Sequence, residues 1–193
     1  MKVVVFNGSP RTGGNVETLL WEMLRPVEYA GHDVVKFNLN EMNIKPCQDC
    51  GGCEETGDCV IKDDMVQVSE AIRAADRLVL GSPIFFFGLS AQAKTMIDRC
   101  QSFWCEKYVL KRPIPGGPEG RKGLLILVGG MKKEVGIACS GETAKAFFRT
   151  VSVPQHETVS FLGIDRKGAI CGHETALDDV YRAGRRLVGL EGG

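Results

Sequence analysis

The chain has no apolar run long enough to cross a bilayer. Leu124 to Val128 is only five residues, against the roughly 20 that a spanning helix requires. It also has no surplus of either charge: Lys and Arg together number 24, Asp and Glu together 24. Without a basic excess, nothing points to nucleic acid or an anionic membrane as a partner. Histidine is scarce. His32, His156 and His173 stand alone, with no spacing that would join them in a metal site, and they read as surface or helix-end residues. Repeats and low-complexity tracts are missing too. Met1 to Phe6 is too short for a secretion signal and runs directly into a loop, so a cytoplasmic location is expected. In that setting the sequon Asn7-Gly8-Ser9 carries no meaning.

What is present is ordinary in bulk and uneven in detail. Length (193 residues), 44% hydrophobic and 25% charged residues suit one globular α/β domain over 1–193. The eight cysteines are not evenly spread: Cys47, Cys50, Cys53 and Cys59 form a C-x2-C-x2-C-x5-C run within a loop expected at 43–62. Gly51 and Gly52 let the backbone turn between them. Clustered thiols in a reducing compartment serve metal or redox chemistry more often than structural disulfides. The tight spacing matches ligation of an iron–sulfur cluster. Zinc usually takes two separated C-x2-C knuckles or histidine, and four unligated thiols are the plain alternative. Cys100, Cys105, Cys139 and Cys171 read as small packing residues.

Along the chain, strand and helix patterns alternate. Strands are expected at Lys2–Phe6, Val34–Leu39, Arg77–Gly81, Leu124–Val128 and Glu157–Leu162. Helices are expected from Val16 to about Ala30, after the caps Asp63-Asp64, from Ser90 to Cys100, over Glu142–Val151 and over Glu174–Leu190. The Pro- and Gly-rich stretch Lys111–Arg121 reads as a surface loop. Five strands alternating with helices predict a doubly wound parallel sheet in the order 2-1-3-4-5, with a ligand crevice beyond strands one and three.

Three loops fall at that crevice. Ser9-Pro10-Arg11-Thr12-Gly13-Gly14-Asn15, followed by Val16, joins the first strand to the first helix, where backbone N–H groups and the helix dipole favour a phosphate. Ser9 and Thr12 add hydroxyls, Arg11 a guanidinium, and Gly14 room for a close approach. The loop matches neither the triphosphate P-loop nor G-x-G-x-x-G; its plain alternative is a strand-to-helix turn. Pro83-Ile84-Phe85-Phe86-Phe87-Gly88 ends the third strand and can wall a flat ring, or else plug the sheet or a subunit contact. Gly129-Gly130 completes the rim. A phosphate loop at one end and an aromatic wall at the other describe FMN.

These residues resemble a known family. Ser9-Pro10-Arg11 with Asn15, the cysteine run continuing into Cys59-Val60-Ile61-Lys62-Asp63-Asp64-Met65, Ser82-Pro83, Ser90-Ala91-Gln92-Ala93-Lys94 and Asp98-Arg99 are similar to the iron–sulfur flavoproteins, which lie within the flavodoxin-like NAD(P)H-dependent FMN reductases. The likeness runs from Met1 to about Arg99. It implies a flavodoxin-like fold, one FMN and one [4Fe–4S] cluster per chain, and homodimers or homotetramers. It implies electron transfer from a ferredoxin or a nicotinamide donor, with NAD(P)H as a transient reductant. Cys47, Cys50, Cys53 and Cys59 would ligate the cluster, Ser9, Arg11 and Asn15 the FMN phosphate, and Pro83–Gly88 would border the ring. Family members usually carry tyrosine at the place of Phe85 and glycine at the place of Phe87. With Gly88 one residue later, this loop is expected to take a shifted path. Two other functions fit the residues: an FMN or quinone reductase without a cluster, and a redox-responsive binding protein.

Overall fold

The computed structural model describes residues 1–117 and 119–190. Among the described residues, six strands form one sheet in the order β2-β1-β3-β5-β6 with β4 attached to β3. The strands are β1 (Lys2–Asn7), β2 (Asp33–Asn38), β3 (Arg77–Phe85), β4 (Gly88–Leu89), β5 (Lys122–Gly129) and β6 (Gln155–Leu162). The five long strands are parallel. Counted alone they follow the expected order, and the sixth is a two-residue strand folding back antiparallel on β3.

The sheet is buried on both faces because successive side chains of a strand point to opposite sides. Val4, Phe6, Leu78, Leu80, Leu125 and Leu127 pack beneath α2 (Met65–Ala74), α3 (Ala91–Arg99) and α5 (Val135–Thr150). Val3, Val5, Val79, Leu124 and Ile126 pack beneath α1 (Asn15–Tyr29) and α6 (Ala176–Leu187). Gly184 lets α6 cross α1 closely: a Cβ there would lie 2.1 Å from the Met23 carbonyl. Gly81 does the same beneath α1, where a Cβ would meet Leu20 and Val16 at 2.9 Å.

Several boundaries differ from expectation. β3 runs on through Pro83 to Phe85, because β1 ends opposite Gly81 and leaves one edge of β3 without a neighbour. A residue without an N–H is tolerated on such an edge. α5 begins at Val135 rather than Glu142. Its first turn packs on the β3 end, where a Cβ on Gly136 would lie 2.8 Å from Ile84. Ser90 caps α3 as expected, accepting from the Ala93 N–H at 3.3 Å. Asp64 flanks α2 without a side-chain cap bond and accepts instead from the Asn43 N–H at 2.7 Å. After α3, α4 (Gln101–Trp104) leads into a π-helical turn over Cys105–Val109.

Candidate flavin and cysteine sites

The carboxyl ends of β1, β3 and β5 open into a cavity of about 580 Å³, within the range typical of cofactor pockets. Ser9, Arg11, Asn15, Val16, Pro83, Ile84, Phe85, Phe86, Phe87, Gly129 and Gly130 line it, so three loops distant in sequence meet there. Thr12, Gly14 and Gly88 lie outside the lining. Met131 and Lys133, from the loop directly after Gly130, line it as well, as do Leu162, Ile164 and Asp165, which no motif pointed to.

The loop before α1 is shaped by its own polar groups. The Ser9 N–H donates to Asn7 Oδ1 at 3.0 Å, and the Arg11 N–H to Ser9 Oγ at 3.2 Å. Gly14 lies where a Cβ would stand 2.8 Å from the Arg11 carbonyl, so only glycine fits without a shift. The Gly13 N–H donates to the Glu17 carboxylate and so is taken, while N–H groups in the first turn of a helix such as α1 are the ones that can meet an anion. Arg11 Nη1 donates to the Asp165 carbonyl at 2.9 Å. The Asn15 side chain ties the loop to the segment after β6: Nδ2 donates to the Arg166 carbonyl at 2.9 Å and Oδ1 accepts from the Ile170 N–H at 3.3 Å. Asn15 therefore braces the loop. That segment also lays Lys167 over Gly13, its Nζ 3.4 Å from where a Cβ would be. Lys167 brings a cation to this loop that spacing alone could not reveal.

In the aromatic hairpin the turn falls on Phe86 and Phe87 rather than on Gly88. Phe86 and Phe87 both sit in the left-handed region, at φ 49° and 64°. They form the two-residue turn between Phe85 and Gly88, which pair across β3 and β4. A buried serine pair holds this hairpin against the phosphate-type loop. The Ser90 N–H donates to Ser82 Oγ at 3.0 Å, and the Ser90 hydroxyl donates to the Gly8 carbonyl at 2.6 Å.

The second site is the cysteine loop. Cys47, Cys50, Cys53 and Cys59 line one small cavity with Arg99, Gln101, Ser102 and a fifth cysteine, Cys105. Its volume is about 30 Å³, room for about one water. Among the described residues, no group of three or more His, Cys, Asp or Glu is placed to hold a metal ion. The donor set nonetheless suits a cluster. Four cysteines line one small cavity, on a loop that turns at Gly51 (φ 70°) and Gly57 (φ 83°). A cube with its sulfides would need the loop to move outward.

Both ends of this loop are fastened to Arg99, whose guanidinium is buried with Asp63. Nη1 donates to the Lys45 carbonyl at 2.8 Å and Nη2 to the Ile61 carbonyl at 3.2 Å. Asp63 further accepts from the Lys45 N–H at 2.9 Å and the Met65 N–H at 3.0 Å. Burial alone would raise the Asp63 carboxyl, but the bonds from Arg99, Lys45 and Met65 outweigh it and hold it below the usual carboxylate range. Arg99 stays firmly charged despite its burial, held by Asp63 and by the neighbouring Cys59 thiol. Burial, helped by the adjacent Cys105 thiol, pushes Cys53 up to about 12.

The remaining cysteines were expected to pack as small apolar residues. Cys100 does. Cys139 and Cys171 are exposed, and Cys105, though buried, touches Cys53.

A parallel sheet with phosphate-type and aromatic loops at its switch point defines the flavodoxin-like class of flavoproteins. Residues 1–155 match the model of the NADPH-dependent FMN reductases, and the chain belongs to that family of flavin-dependent oxidoreductases. It is 38% identical to an iron–sulfur flavoprotein of Methanocaldococcus jannaschii over 99 residues, 51% of either chain. It is 34% identical to an iron–sulfur flavoprotein of Archaeoglobus fulgidus over 66% of this chain and 62% of that one. The matches thus span about half to two thirds of these relatives. In fold the chain resembles an NAD(P)H:quinone oxidoreductase from Methanothermobacter marburgensis, with TM-score 0.72 at 19% identity over 100% of this chain and 97% of that one. It also resembles an FMN-dependent NADH-azoreductase from Bacillus anthracis, with TM-score 0.67 at 16% identity over 97% and 99%. Among the described residues no helix is long and apolar enough to cross a membrane.

Proposed function

We infer that this chain is an electron-transfer flavoprotein. It would hold FMN in the large cavity and a [4Fe–4S] cluster on Cys47, Cys50, Cys53 and Cys59, and pass electrons between a low-potential donor and an acceptor. The observation that carries the flavin half is the single cavity joining the Ser9–Val16 loop to the Phe85–Phe87 hairpin. The cysteine run carries the other half, supported by the likeness to iron–sulfur flavoproteins.

When bound, FMN takes up electrons singly or in pairs and a cluster passes one at a time, so together they suit a link between two-electron and one-electron carriers. The chain's own groups bind and orient. The α1 first-turn N–H groups and the Arg11 guanidinium offer positive charge at one end of the cavity, and the Lys167 ammonium stands over Gly13 of the same loop. Phe85, Phe87 and Ile84 offer an apolar wall at the other, which keeps water from a planar ring. Arg99 and Asp63 close the cysteine loop. Ferredoxin or a nicotinamide donor would supply electrons, and a homodimer or homotetramer would be the working form.

The cysteine cavity of about 30 Å³ favours a second reading, an NAD(P)H-dependent FMN or quinone reductase without a cluster. Protein prepared without air separates the two. Flavin absorbance with a broad band near 400 nm and about four irons per chain supports the first; flavin bands alone support the second.

A further inference from the structure

Cys105 stands outside the spaced run, yet its sulfur lies 3.5 Å from that of Cys53. Three features bring them together. The Cys105 side chain is buried in the wall of the cysteine cavity. It opens the π-helical turn Cys105–Val109, a rare distortion that is frequent at functional sites. The cysteine loop also docks on that turn. Arg112 Nη2 donates to the Thr56 carbonyl at 2.7 Å, and Gly57 packs where a Cβ would lie 3.2 Å from the Glu106 Cβ.

We propose that Cys53 and Cys105 are a redox pair: when the cluster is absent, a peroxide joins them in a disulfide that removes one ligand from the set, and a thiol reductant restores it. The step balances. Each S–H bond breaks, each thiol losing one proton and one electron as the S–S bond forms; hydrogen peroxide takes up the two electrons and two protons, and its O–O bond breaks to give two waters. Closing 3.5 Å to the bonded separation of about 2.05 Å needs a local shift of the two side chains and the backbone that carries them. The pair makes the pocket a five-sulfur site in which assembly competes with oxidation. The inference rests on the cluster reading for its consequence and not for its chemistry.

The test uses the full-length chain, reduced, cluster-free and loaded with FMN. It is treated with hydrogen peroxide, alkylated and peptide-mapped, and parallel samples are offered iron and sulfide. The expected result is a Cys53–Cys105 linked peptide, lost iron uptake, and recovery of both thiols and uptake after dithiothreitol. Cys105→Ala should retain more uptake after peroxide than the unaltered chain. Cys53 linked to Cys47, Cys50 or Cys59 instead, or no link at all, overturns the proposal. If the untreated, reduced chain takes up no iron, the cluster reading fails while the peptide map still decides the pair.

Discussion

The Arg99 guanidinium and the Asp63 carboxylate meet in a two-pronged pair, Nη1 to Oδ2 at 2.7 Å and Nη2 to Oδ1 at 3.2 Å. With side chains 1% and 2% exposed, neither charge has water to fall back on. The same guanidinium bonds the backbone on both sides of the cysteine run. The pair is therefore the closure of the loop as well as a contact in the core.

Asp63→Asn should lower unfolding stability by about 3–5 kcal/mol, because it leaves a buried guanidinium without its counter-charge. Denaturant midpoints check this. Since Asp63 is held below its ordinary value, its contribution is full above the unfolded carboxyl range of about 3.9 and is lost as pH falls through the lower folded value. Acid titration of stability should therefore be flatter in Asp63→Asn than in the unaltered chain below about pH 4.

The hairpin at the flavin cavity carries strain that glycine would relieve. Phe86 is fully exposed at positive φ, a conformation costing roughly 1–2 kcal/mol for a side chain with a Cβ. Phe86→Gly gives up no burial and loses some backbone entropy, so stability should rise by about 0.5–1 kcal/mol. If Phe86 acts on the cavity's occupant, FMN affinity or turnover falls at the same time. A destabilised Phe86→Gly would show that the turn is not strained.

Lys167 faces the phosphate-type loop and can be separated from the ring contacts. Lys167→Ala should weaken FMN binding about fivefold to tenfold, on the order of 1 kcal/mol, and the deficit should shrink at high salt. Riboflavin, which lacks the phosphate, should bind both forms alike. Titration of flavin fluorescence measures each constant.

Much of the architecture can be read from periodicity. Val3 to Phe6 and Leu124 to Ile126 are apolar at every position because both sheet faces are covered, and that places the switch point. Elements made by contacts are not legible in this way. The first turns of α5, Val135 to Gly141, are mostly small residues around Val135 and Ile137 and give no helix signal, and they become helix against the end of β3. Lys167 and Cys105 join their sites only through folding: one lies in the segment after β6, the other in a π-helical turn far along the chain from its partner. Asp63 reads locally as a helix cap, and only the return of α3 gives its carboxylate to Arg99.

The most direct measurement is iron per flavin in protein reconstituted without air from FMN, iron and sulfide, in the unaltered chain and in Cys50→Ala. About four irons per flavin in the former, and flavin without iron in the latter, is the predicted result. Iron-free yellow protein from the unaltered chain, or full iron in Cys50→Ala, would contradict it.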